Sequence, residues 1–174
     1  GAMVSDSLMS VEGAQVSYPP ELFSKLQQQC PGYTLWFPYH ADASKHMPAL
    51  RPFFAARKEA CLRVVREMPA DLYFFVFNCV DWTNHRFPLE PDGVEQALSK
   101  GHPLVEAYHL ADEFVAELLD LLDENDNLLI VSDHGSVPSH NLFLANEWLA
   151  EEGFLKYART VTTRARIAAI WLWK

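Results

Sequence analysis

The sequence has few cysteines, no metal-binding cysteine pattern and no long apolar run. Its three cysteines, Cys30, Cys61 and Cys79, show neither CxxC nor zinc-finger spacing, which argues against a disulfide framework and a cysteine metal site. No apolar run reaches the roughly 18 residues that a membrane span needs. The first residues do not resemble a signal peptide. We therefore predict reduced thiols, no membrane segment and a cytoplasmic protein.

Positive charge is also scarce. The chain carries 14 Lys and Arg against 23 Asp and Glu, which gives a formal net charge of −9 at pH 7. This acidic balance argues against a nucleic-acid polymer as a partner. The charge is uneven, because basic residues follow Leu155 and acidic ones do not.

Apolar residues make up 49% of the 174 residues, which is enough for the core of one domain. We interpret residues 1–3 as an expression scar and residues 4–15 as a flexible lead-in. Residues 16–155 are predicted to form the core. Residues 156–174 form a basic and apolar C-terminal segment that we expect to be truncated, and its exposed apolar side chains would favour self-association.

Two short apolar runs are typical of buried strands. Residues 72–80 are rich in aromatic and β-branched side chains, and residues 128–131 read Leu-Leu-Ile-Val. Between them, apolar residues recur every three or four positions from Leu104 to Leu122, which predicts an amphipathic helix with Pro103 as its first residue. A strand, a helix and a strand form a right-handed parallel unit. The predicted fold is therefore α/β, with a mainly parallel sheet flanked by helices.

Three other helices and one loop are also predicted. The helices cover residues 21–29, a stretch that begins at Met47 or Pro52 and reaches Met68, and residues 147–152 with Asn146 as N-cap. Residues 88–101 are predicted to be a polar loop.

An aspartate and a histidine follow each predicted strand. Asp81 and His85 are four residues apart, so a helical turn would place both on one face. Asp133 and His134 are adjacent and converge only where the strand breaks into a turn, which Gly135 permits. Ligands of open α/β sheets bind outside the carboxyl ends of the strands. Carboxylate oxygen and imidazole nitrogen are ligands for Zn²⁺ and Mn²⁺, so we predict a metal site there.

The alternative for each pair is an ordinary surface or turn position. An aspartate at a strand end often caps a backbone amide, and exposed Asp and His residues are common. The occurrence of one pair after each strand of the same unit is what favours the metal site.

Residues 130–135 (Ile-Val-Ser-Asp-His-Gly), with residues 146–149 (Asn-Glu-Trp-Leu) downstream, resemble the alkaline phosphatase superfamily. The similarity is to its type I phosphodiesterase and predicted phosphohydrolase/phosphomutase branch, and it covers residues 16–155. Asp81 and His85 fall where that branch has its first metal pair.

This resemblance implies a partial alkaline-phosphatase-like core with a two-metal site. Asp81 and His85 would hold one divalent ion, Zn or Mn, and Asp133 and His134 the other. The implied function is part of a metal-dependent phosphohydrolase that acts on a phosphomonoester or phosphodiester through a serine or threonine nucleophile.

The sequence also departs from the family pattern. We find no match to the family's N-terminal strand with a further metal aspartate, to the nucleophile segment, or to a late metal histidine. We therefore expect an internal fragment of a larger hydrolase, which binds metal weakly or not at all and is inactive alone. Thr83 and Ser136 are secondary candidates for a nucleophile, and His140 for a further ligand.

Other functions stay open at this point. One alternative is a non-catalytic binding or interaction domain on a degenerate phosphatase scaffold. Another is a phosphomutase or sulfatase of the same superfamily. The sequence identifies no substrate-binding residue.

Overall fold

The computed structural model describes residues 1–5, 15–40, 42–90, 93–136 and 143–157. Two short antiparallel strands, β1 (Met3–Val4) and β2 (Ser17–Tyr18), form the sheet of these ranges, and a 3-10 turn (Ala43–Lys45) precedes the second helix. The α-helices of these ranges are α1 (Leu22–Gln29), α2 (His46–Glu67), α3 (Cys79–Arg86), α4 (Val94–Lys100), α5 (Pro103–Leu119) and α6 (Ala145–Glu151).

The long helices begin where local sequence signals predict. Pro103 is the first residue of α5, and the His102 side chain caps that helix by accepting from the backbone N–H of Leu104. The predicted helices at residues 21–29 and before Met68 are confirmed as α1 and α2. These predictions hold because hydrogen bonds within a helix join residues four positions apart, so the local pattern suffices.

The main core lies between α2, α3 and α5. Leu50, Phe54 and Leu62 of α2 form a cluster with Ala107 and Phe114 of α5. Burying one such aliphatic or aromatic side chain contributes about 1.5–3 kcal/mol. This cluster supports α3, the helix that carries the first predicted ligand pair. A second cluster packs α1 onto the other part of α2.

Residues 72–77 lie outside any helix or sheet in the described ranges. Phe75 and Phe77 pack against Phe114, with ring centroids 5.9 and 4.5 Å away. The side chains that alternate with them are exposed: Leu72, Phe74 and Val76. This segment therefore has the two-residue period of a strand, with one packed face and one open face.

The predicted parallel sheet is therefore not confirmed in the described ranges. Within the described residues, no backbone hydrogen bonds connect residues 72–77 or 127–131 to a neighbouring strand. A strand forms only when a second stretch of backbone satisfies its N–H and C=O groups. Apolar, β-branched composition predicted both segments to be strands, but composition does not supply the neighbour. The predicted buried strand at residues 128–131 is in fact solvent-exposed.

The predicted loop over residues 88–101 was also wrong, because it contains α4. The helix begins after Gly93 and ends at Gly101, whose φ of 67° is the left-handed conformation of a helix-ending glycine. Ala97 is buried, so one apolar contact anchors this short helix. Gly93 and Gly101 therefore mark the two ends of α4 and do not indicate a loop.

Residues 1–138 and residues 139–174 form two compact units. In the second unit, Trp148 of α6 contacts Phe143, with 5.8 Å between ring centroids. Asn146 is not the N-cap as predicted. Leu144 holds that position without a side-chain cap, since the helix begins two residues earlier than predicted. Gly153 has the predicted helix-ending conformation, with φ 82°.

The domain boundaries predicted after residues 3, 15 and 155 stay predictions. His140 and residues 158–174, which include most of the C-terminal apolar segment, lie outside the described residues. In the ranges that are described, no helix has both the length and the apolar character needed to cross a membrane.

Candidate functional site

The first predicted ligand pair lies on α3. Asp81 is in the first turn of this helix and His85 in the last, so the negative charge of Asp81 complements the helix dipole. The predicted helical turn is confirmed. Asp81 Oδ1 lies 3.4 Å from His85 Nε2, and both side chains are accessible to solvent. The local backbone alone brings a carboxylate and an imidazole together here.

The inner face of α3 is fixed by a buried polar contact. The Thr83 hydroxyl donates to the Cys79 carbonyl at 2.7 Å, and its oxygen lies 3.0 Å from Nε2 of His46. Because the hydroxyl proton is used, His46 is the donor to Thr83. Burial, followed by the charge of Arg86, lowers the pKa of His46. This contact ties α3 to the start of α2.

The same contact bears on Thr83 as a candidate nucleophile. Its side chain is fully buried and its hydroxyl already takes part in two hydrogen bonds. In this conformation a substrate does not reach the hydroxyl. The other candidate, Ser136, is exposed.

The second predicted ligand pair lies on an exposed segment that is neither helix nor strand. Asp133 Oδ2 is 3.7 Å from His134 Nε2, and both side chains are exposed. The Ser132 hydroxyl donates to the His134 carbonyl at 2.6 Å. Gly135 has no positive φ, and a β-carbon there would meet nothing within 4 Å. The two side chains therefore converge because the segment is not a regular strand, and not because a glycine turn brings them together.

A side-chain contact connects the segment of the second pair to α3. Asn84, which precedes His85 on α3, donates its Nδ2–H to the Ser136 hydroxyl oxygen. The negative charge of Asp81 also reaches His134. The hydrogen bond to the Gly135 carbonyl, then the charge of Asp133 and that of Asp81, raise the pKa of His134. The segments that carry the two pairs are therefore in contact through Asn84 and Ser136, and neither segment is part of a sheet in the described ranges.

The structure does not gather these ligands around one point. Among the described residues, no three His, Cys, Asp or Glu side chains are placed to hold one ion. Asp81 with His85, and Asp133 with His134, are two separate two-residue pairs. His140, the predicted further ligand, lies outside the described residues.

An aromatic cluster beside Asp81 was missed as part of the site. The rings of Trp82 and Phe37 stack with centroids 5.0 Å apart, and Tyr39 meets the Trp82 ring edge-on at 5.9 Å. Partial burial and the charge of Asp81 raise the pKa of Tyr39 to about 12. The signal in the sequence was the aromatic run at residues 33–39, and such a run does not indicate which part of the fold it packs against.

The cysteines do not add a ligand or a nucleophile. Burial raises the pKa of Cys61 to about 12 and that of Cys79 to about 11. Both thiols are therefore protonated at neutral pH, whereas metal binding and nucleophilic attack need the thiolate. Cys30 is also a free, buried thiol.

A family model provides the comparison with known proteins. The model described as type I phosphodiesterase / nucleotide pyrophosphatase matches residues 6–173, which is nearly the whole chain. Searches of curated proteins and of solved structures found no match. The matched family is consistent with the α/β class and with a phosphoester hydrolase. The chain belongs to the type I phosphodiesterase/nucleotide pyrophosphatase family, within the alkaline phosphatase superfamily.

Proposed function

We propose that the chain carries part of the metal centre of a phosphoester hydrolase that acts on small phosphomonoesters or phosphodiesters. Asp81 and His85 would hold one divalent ion, and Asp133 and His134 a second. The observation that supports this most is the juxtaposition of the two exposed Asp/His pairs, with the Asn84 to Ser136 hydrogen bond between their backbone segments.

The spacing within each pair suits a metal ion. Zn–N and Zn–O bonds of about 2.1 Å at a tetrahedral angle place two ligand atoms roughly 3.4 Å apart. The observed oxygen–nitrogen distances are 3.4 Å for Asp81 and His85, and 3.7 Å for Asp133 and His134. A bound ion would take the place of the direct contact within each pair. Zn²⁺ and Mn²⁺ both accept these ligand types, so the pairs do not select between them.

Bound divalent ions would neutralise the charge of a phosphoester and hold its attacking or leaving oxygen. The residues of this chain supply the ligands, and Asp81 keeps both the Tyr39 hydroxyl and the His134 imidazole in a negative field. Two protein ligands for each ion are fewer than the three of a catalytic zinc site. We therefore expect micromolar or weaker affinity in the 174-residue chain.

We also propose that these residues do not complete a catalytic site by themselves. The Thr83 hydroxyl is buried and engaged, and the exposed Ser136 hydroxyl already accepts a hydrogen bond from Asn84. Removing one member of a cooperating catalytic set costs nearly as much as removing all of them. We expect the nucleophile and further metal ligands to come from other residues of the functional protein.

We also infer that this protein is cytoplasmic.

A non-catalytic binding domain is the second candidate. The observation that favours it is that no three ligands converge in the described part of the chain. Such a domain would keep its fold, with or without metal, and would not hydrolyse phosphoesters. Turnover by a longer protein that contains these residues therefore separates the two functions.

The first test is calorimetry with Zn²⁺ and Mn²⁺ at pH 7.5 on the 174-residue chain. Outer-shell partners alone change metal affinity by about 10- to 100-fold, so His85→Ala and Asp133→Asn should weaken binding at least as much. His109→Ala and Asp112→Asn are matched controls, because both residues are exposed on α5. No binding by a correctly folded chain would support the non-catalytic domain.

The second test is turnover of p-nitrophenyl phosphate and bis-p-nitrophenyl phosphate. We expect the 174-residue chain to give no rate above a metal-only control. A longer protein that contains these residues should hydrolyse at least one phosphoester and lose that activity in Asp133→Ala. Robust metal-dependent turnover by the 174 residues that disappears in Ser136→Ala would overturn the proposal of an incomplete site.

A further inference from the structure

We propose that Asn84 and Ser136 are positioning residues that set the spacing between the two Asp/His pairs. This inference rests on the proposed metal centre. The two residues are not proposed as metal ligands. Their contact would determine how far apart the two Asp/His pairs lie.

The placement of the two residues is the first observation. Asn84 lies three residues after Asp81 and directly before His85. Its side chain therefore projects from α3 close to the first pair. Ser136 lies two residues after His134. The Asn84 amide donates to the Ser136 hydroxyl oxygen, so this bond joins the helix of one pair to the segment of the other.

The second observation is how little else holds that segment. Within the described ranges, the backbone of residues 127–135 makes no hydrogen bond to the backbone of another element. Leu129 is 82% exposed and Val131 70% exposed, so burial does not hold the segment either. The hydrogen bonds of Ser132 and of the His134 ring stay within the segment. A segment with so few long-range contacts has large conformational freedom, and one additional hydrogen bond to α3 reduces that freedom.

The third observation is that α3 does not depend on this contact. Thr83 and His46 hold its inner face, and Cys79 lies in the main core. Loss of the Asn84 to Ser136 bond should therefore leave the fold and the first pair in place. It should release only the second pair from its position near Asp81.

The metal experiment is a double-mutant cycle on the full 174-residue chain, titrated with Mn²⁺. We expect Asn84→Ala and Ser136→Ala each to weaken binding of the second ion about three- to tenfold, with the double variant no weaker than either single one. Binding of the first ion and the thermal midpoint should not change. Additive effects, or equal losses for both ions, would overturn the inference.

Two matched serine variants separate positioning from a general loss of a hydroxyl. Ser136→Thr keeps a hydroxyl that can accept from Asn84, so it should restore second-ion binding. Ser132→Ala removes a hydroxyl from the same segment without touching α3, and it should have a smaller effect than Ser136→Ala. The reverse order of these two variants would contradict the positioning role.

A metal-free experiment distinguishes failure of this inference from failure of the proposed function. The Asn84 amide donates to the Ser136 hydroxyl, so NMR spectra of the metal-free chain should show an NOE response between α3 and residues 133–136. We expect this response to disappear in Asn84→Ala and in Ser136→Ala, and to persist in Ser132→Ala. A chain that binds no metal but shows this pattern refutes the metal centre and supports the spacing role. An unchanged response in Asn84→Ala refutes the spacing role.

Discussion

The two Asp/His pairs have the same composition but lie on very different backbones. Asp81 and His85 are on a helix whose inner face is tied to the core through Thr83. Asp133 and His134 are on an exposed segment that is not part of a sheet in the described ranges. A pair on a packed helix is already in place, whereas a pair on an open segment loses conformational freedom when it binds an ion. Preorganisation, and not ligand type, is what distinguishes the two pairs.

Truncation of an apolar residue should show the largest contrast between these regions. Leu62 in α2 is completely buried, whereas Leu129 is 82% exposed. We expect Leu62→Ala to lower the free energy of unfolding by about 2–5 kcal/mol, since it leaves a cavity. Leu129→Ala should change it by no more than about 0.5 kcal/mol. Urea denaturation measures both, and equal effects would contradict the packed and open descriptions.

The contact beneath α3 should give the next largest effect. Thr83→Val removes the hydroxyl that accepts from His46 and leaves a buried N–H without its partner. Such a group costs about 1–3 kcal/mol of stability. Thr83→Ser keeps the hydroxyl and should lose less. Unfolding curves of the two variants check this, and a Thr83→Val protein as stable as the original would show that the buried bond is not needed.

The pH dependence of stability should also separate the regions. The pKa of His46 is lowered in the folded protein, so the folded state disfavours its protonated form. The contribution of His46 to the free energy of unfolding is complete above the ordinary histidine pKa of about 6.5. It is lost as the pH falls through the lower pKa that His46 has in the folded protein. We expect unfolding free energies measured between pH 7.5 and 5 to fall more steeply for the original chain than for His46→Gln. Parallel curves would contradict this prediction.

The smallest expected effect concerns the open pair. The pKa of His134 is raised, so its partners stabilise the folded state below the ordinary value and this contribution is lost as the pH rises through the folded one. Because His134 is exposed, solvent screens this effect. NMR titration should find the His134 pKa above that of a free histidine, and Asp133→Asn should lower it. An unchanged pKa in Asp133→Asn would show that the two side chains are apart in solution.

Much of the first region could be predicted from the sequence, and less of the second. The recurrence of apolar residues predicted α2 and α5, and the four-residue spacing of Asp81 and His85 predicted that they share a helical face. By contrast, residues 128–131 have the composition of a buried strand and are exposed. The predicted parallel sheet is not confirmed for the described residues, because each strand needs a neighbour that its own composition cannot specify.

The sequence by itself determined the features that depend on residues within one helical turn: the starts of α1 and α5, and the contact between Asp81 and His85. It also determined the family, through motifs that are continuous in the chain. Only the tertiary structure decided that Thr83 is buried against His46, that Trp82 stacks on Phe37, and that Asn84 meets Ser136. Those contacts join side chains 37, 45 and 52 positions apart, and closing such loops depends on the packing of the whole core.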